Sequence, residues 1–137
     1  QGGLTGPGVK AFGENGMVII GLVASLIAAA GYGLAGSLGV VVVLMVVHGP
    51  EGFIHPMLTA KMTHAVPDDA QGELQGGIAA IMNVAMLGGT VFFSQVFGYF
   101  MQPGAPLQSP DIAYFVASGL LALALLLFAG LTRRADH

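Results

Sequence analysis

Three ionisable side chains fall inside an otherwise apolar stretch of the chain: His48, Glu51 and His55, spaced i, i+3 and i+7. On a continuous helix that spacing puts all three on one face. The stretch that carries them, Leu38 to Lys61, has its midpoint near Gly49 and Pro50. An ionisable group at that depth of a membrane span costs on the order of 3 kcal/mol on insertion scales and marks a proton relay or a substrate contact by default. Glu51, His48 and His55 are therefore the proton- or substrate-handling candidates. Two other readings stay open. Glu51 could be protonated, or hydrogen-bonded to a histidine, and serve packing alone, since buried ionisable groups also serve structure. A His–x–x–Glu pair can also chelate a metal or a pigment on a regular helix, but Gly49, Pro50, Gly52 and Pro56 spoil that regularity. No metal ligand, cofactor or catalytic residue is assigned. A helix interrupted at that depth is tolerated only where protein or a water-filled cavity satisfies the backbone.

The elements that must position these residues are four apolar runs: Met17–Gly36, Leu38–Ala60, Gly77–Phe100 and Ile112–Leu131. Crossing a hydrocarbon core of about 30 Å takes roughly 20 helical residues, which each run supplies. The expected fold is all-α, a polytopic membrane protein of four transmembrane helices over approximately 17–36, 38–61, 72–100 and 112–131, forming a single membrane domain over 1–137. The first run is too long for a signal peptide and three more follow it. Only four Lys/Arg occur: Lys10 before the first run, Lys61 between the second and third, and Arg133 and Arg134 after the fourth. Four crossings place all of them on one face, and an excess of Lys/Arg marks the cytoplasmic side, so both termini are expected inside a bacterial cytoplasmic membrane. Tyr99, Phe100 and Tyr114 are expected as anchors at the opposite interface, because the chain has no Trp.

Composition narrows the function classes. Apolar residues make up 55% and charged residues 8%, against about 25% charged in a soluble domain. A scattered net charge of −3 points to no nucleic-acid partner. The absence of Cys removes disulfides and thiolate chemistry. No phosphate-cradling loop, nucleophile elbow or zinc-protease helix motif occurs, so no enzyme is expected.

Glycine and proline lay out the connections. Gln1 to Gly16 contains seven Gly or Pro residues and reads as a loop. Gly36 and Ser37 force an antiparallel hairpin, and Pro67, Asp68 and Asp69 are suited to starting the third helix. Gly21, Ser25, Ala29 and Gly33 recur every fourth residue, a stripe that lets membrane helices pack closely. Gly72, Gly76, Ala80 and Gly88 form a similar row on the third helix. Asn83 and Gln95 are explained by interhelical hydrogen bonding.

One segment is more specific than any glycine pattern. Gln71-Gly72-Glu73-Leu74-Gln75-Gly76, preceded by Pro67-Asp68-Asp69-Ala70, resembles the loop between helices ten and eleven in the tetracycline-efflux family of the major facilitator superfamily. Pro56 and Leu58 resemble that family's Pro–x–Leu at the inner end of helix ten. Leu4-Thr5-Gly6-Pro7 through Phe12-Gly13-Glu14 to Gly21 resembles its loop between helices eight and nine. The resemblance aligns the four runs with helices nine to twelve of a twelve-helix transporter. It implies proton-coupled efflux of small, drug-like molecules, with the amino-terminal helices or another membrane protein, the lipid bilayer and a small-molecule substrate as partners. This sequence has Ser25 where drug exporters carry an acid on helix nine, and Asn15 and Gly16 where basic residues are favoured. The alternative is a transporter remnant acting as a structural subunit of a larger membrane complex.

Overall fold

The computed structural model describes residues 2–135, without the side chains of 2–5 and 135; Gln1, Asp136 and His137 lie outside the described residues. The described residues form helices and no strand: α1 (Gly2–Leu34), α2 (Leu38–His48), α3 (Ile54–His64), α4 (Gln71–Phe100) and α5 (Ile112–Ala135). Two 3-10 turns, Gly49–Phe53 and Asp68–Ala70, lead into α3 and α4. Because α2, the first turn and α3 run on without a break, four helices are long and apolar enough to cross a membrane. Helix is the form in which a chain this poor in water-seeking side chains satisfies its backbone internally.

The helix starts follow local chemistry. Ser37 is extended, and its hydroxyl accepts the Val40 N–H at 3.4 Å, capping α2. Pro67 is extended at the head of the second 3-10 turn, whose Asp68 and Asp69 complement the positive end of the helix. The Gln71 amide donates to Asp68 Oδ1 at 3.1 Å, tying the turn to the first residue of α4.

α1 is the central helix. Val18, Ser25 and Ala28 are fully covered, and Met17, Leu22 and Ala29 nearly so. Met17, Val18 and Leu22 meet Met57 of α3, with Leu58, Leu121, Leu125 and Phe128 packed around them. The contacts run antiparallel: Gly31 faces Leu44 and Gly21 faces Pro50 and Ile54 on the α2–α3 side, while Gly33 faces Phe115 on α5. That order brings Lys61, Arg133 and Arg134 to one end of the bundle, the end where α1 begins. α4 touches only α3 and α5 among the other long helices, and lightly. None of its residues is buried, and Ile81, Val84, Met86 and Leu87 point outward. Outward apolar faces are stable in lipid, whose tails are as apolar as leucine.

The Gly-rich beginning is not a loop. Gly2 to Phe12 is helical, and one residue, Gly13, breaks the helix with φ 70° and ψ 171°, a conformation open essentially to glycine alone. The bend returns Val9 to the Met17 and Val18 cluster, and a Cβ on Gly8 would sit 2.8 Å from Met17 Sδ. Packing has outweighed a helix cost of about 1 kcal/mol per glycine. The glycine row on α4 differs from that on α1 as well: Gly72, Gly76 and Gly88 have open space where a Cβ would go.

Candidate functional site

The second span supplies the site because of how its Gly–Pro interruption is built. Pro50 lacks an N–H and sits at the start of the Gly49–Phe53 turn, which winds as a 3-10 helix rather than unwinding. In that geometry residues i and i+3 eclipse. His48, the residue that leads into the turn, is thereby stacked over Glu51, and His48 Nε2 lies 2.5 Å from Glu51 Oε2. The His48 side chain is 35% exposed and that of Glu51 55%, so the pair sits at the edge of the described bundle rather than in its core.

His55 does not join them. A 3-10 turn advances about 120° per residue against about 100° in an α-helix, so five such residues rotate everything beyond by roughly 100°. His55 accordingly faces α4, where its Nε2 is 3.1 Å from Met82 Sδ. The one-face expectation for the trio assumed a continuous α-helix; the turn divides it into a His48–Glu51 pair and a separate His55–Met82 contact. Among the described residues no three metal-ligating side chains converge.

Sequence reasoning missed Tyr32. Its ring lies 5.9 Å from that of His48, tilted 58°, and 5.8 Å from that of Tyr114, tilted 49°. Side chains on a helix lean toward its amino terminus. Tyr32, near the end of α1, leans back toward mid-span, and His48 on the antiparallel α2 leans up to meet it. The signal available in the sequence was a polar-tipped aromatic set between two glycines, Gly31-Tyr32-Gly33.

The small-residue stripe of α1 lies against its neighbours at both ends. A Cβ on Gly21 would lie 2.6 Å from Ile54 Cγ1 and 2.9 Å from the Pro50 carbonyl oxygen, and one on Gly33 2.9 Å from the Phe115 ring. Ser25 is buried, and its hydroxyl donates to the Gly21 carbonyl at 2.9 Å. Ala29 completes the buried stripe. The segment Gln71, Gly72, Glu73, Leu74, Gln75 and Gly76 forms the first turns of α4, with Glu73 exposed in the first turn of the helix. Asn83 and Gln95 are exposed on α4.

Four apolar spans, one of them the small-residue helix α1 on which two of the others pack, define a multi-pass α-helical membrane protein. The chain is similar to the tetracycline resistance protein, class C, of Escherichia coli, with 31% identity over 102 residues, 71% of this chain. It spans only 24% of that protein's length. No family model matches the chain, and no solved structure matches it.

Proposed function

We propose that this chain is the carboxy-terminal portion of a proton-coupled efflux transporter of the major facilitator superfamily that exports small, drug-like molecules, and that His48 and Glu51 are its proton-handling pair. The observation that carries the proposal is the pair itself: a carboxylate and an imidazole in contact, in the interior of a membrane span, on a side not covered by the described helices. Such groups face other helices or a wet cavity, because lipid exposure at that depth is costly. The likeness to a tetracycline resistance protein supports transport as the activity. Ser25 is a departure from the resembled exporters. At the position where the resembled exporters carry an acid, this chain has a hydroxyl bonded to its own helix, while Glu51 stands on the neighbouring span, next to the Pro50 that packs on Gly21. Under this reading the end bearing Lys61, Arg133 and Arg134 is cytoplasmic and the remaining helices of the transporter cover the exposed side of the pair.

The test is Glu51→Gln in the complete gene product that carries this segment, assayed for pH-gradient-driven drug efflux from everted membrane vesicles. Gln keeps shape and hydrogen bonding but carries no titratable proton. Loss of gradient-driven efflux at unchanged membrane level supports the pair as the coupling group. Efflux that survives intact in Glu51→Gln removes the coupling role and leaves a packing role.

A further inference from the structure

Tyr32 is held in the bundle from two sides, and the two residues flanking it are what allow this. A Cβ on Gly31 would lie 2.5 Å from Leu44 Cδ2, so the missing side chain lets α2 close on α1. A Cβ on Gly33 would lie 2.9 Å from Phe115 Cζ, so α5 closes on the other flank. Each approach delivers one ring to Tyr32: His48, one turn after Leu44, and Tyr114, the residue before Phe115. The result is an aromatic column, Tyr114–Tyr32–His48, running from the first turn of α5 to the mid-span pair.

We infer that Tyr32 is a positioning residue for the His48–Glu51 pair, with its ring, backed by Tyr114, holding the imidazole on the carboxylate; this rests on the reading of that pair as proton-handling. An imidazole on a helix has two populated χ1 wells, the third clashing with the preceding turn, and the Tyr32 ring on α1 lies against the imidazole, 5.9 Å between ring centroids, where it opposes the move from one well to the other. The titratable groups around His48 are few. Glu51 comes from the 3-10 turn and Tyr32 from α1, with Tyr114 of α5 behind it, while His55 of α3 is turned onto Met82. The column also makes the placement of His48 depend on the first turn of α5, so a movement of that helix end reaches the pair directly.

The inference is tested on the complete gene product that carries this segment, in detergent micelles with 15N-labelled histidine, assigning the His48 ring signals by their loss in His48→Gln. Tyr32→Leu removes the ring and is expected to lower the Glu51-bonded His48 population about twofold, as the second helical rotamer becomes available. Tyr32→Phe retains the ring and is expected to leave the His48 signals at their wild-type positions. Tyr114→Leu removes only the backing ring and is expected to change them in the same direction as Tyr32→Leu, but less. It also reports on the column should Tyr32→Leu not fold. Unchanged His48 signals in a folded Tyr32→Leu or in Tyr114→Leu would overturn the inference, as would a Phe variant that behaves like Leu. In efflux vesicles Tyr32→Leu should displace the pH profile of transport while Tyr32→Phe does not. The Glu51→Gln assay bears on proton coupling alone, so the two readings fail by different results.

Discussion

Gly21→Ala compared with Gly88→Ala isolates the close approach that places Glu51. Both substitutions add one methyl group to the middle of a long helix, and both gain the same intrinsic preference of about 1 kcal/mol for Ala over Gly. Their surroundings differ completely. At Gly88 there is nothing within 4 Å of the new carbon. At Gly21 it would lie 2.6 Å from Ile54 Cγ1 and 2.9 Å from the Pro50 carbonyl oxygen. The Ile54 side chain can turn away, but the Pro50 oxygen is backbone, so the whole 3-10 turn has to move. Inserting a methyl group into such a contact costs about 1–3 kcal/mol. Because the propensity gain cancels between the two variants, their difference should be about 1–3 kcal/mol, roughly a five- to 150-fold difference in unfolding equilibrium. The measurement is SDS-driven unfolding of the purified chain from mild detergent, followed by the near-ultraviolet circular dichroism of its three tyrosines, which no Trp obscures. Gly21→Ala should unfold at lower SDS than Gly88→Ala. Equal transitions for the two, or a greater loss for Gly88→Ala, would refute the claim that Gly21 is where the turn docks.

Gly33→Leu should destabilise the bundle more than Leu34→Ala in the same unfolding assay, because the first drives a side chain into the Phe115 ring while Leu34 is largely exposed. Gly13→Ala forces a methyl-bearing residue into φ 70°, ψ 171°, at about 1–3 kcal/mol; the segment before it should leave the Met17 cluster, and limited trypsin digestion should cut after Lys10 faster than in wild type. For orientation, single cysteines at Gln108 and Asp69 should behave oppositely toward a membrane-impermeant thiol reagent on intact cells, Gln108→Cys reacting and Asp69→Cys protected; the reverse pattern would invert the proposed topology.

What the sequence by itself determined is what depends on local composition. Four apolar runs of span length dictate four helices, because in lipid a backbone must close its own hydrogen bonds. Pro67, with Asp68 and Asp69 after it, marks a helix start through local chemistry, and the fourfold recurrence of Gly21, Ser25, Ala29 and Gly33 marks a stripe because helical periodicity is a local property. Tertiary structure decided the rest. Gln1 to Gly16 carries enough turn formers to read as a loop, yet Gly2 to Phe12 coils because Val9 finds the Met17 cluster, a contact that no local rule contains. The glycine rows of α1 and α4 look alike in sequence, and only the fold distinguishes them, since a stripe becomes an interface only when another helix lies against it. The site divided in the same way. His48 and Glu51 were legible as candidates from type and depth, but whether His55 joined them hung on the winding of five residues, Gly49–Phe53. Tyr32 was not legible as part of the site, because its role comes from rings on α2 and α5 that only packing around Gly31 and Gly33 brings to it.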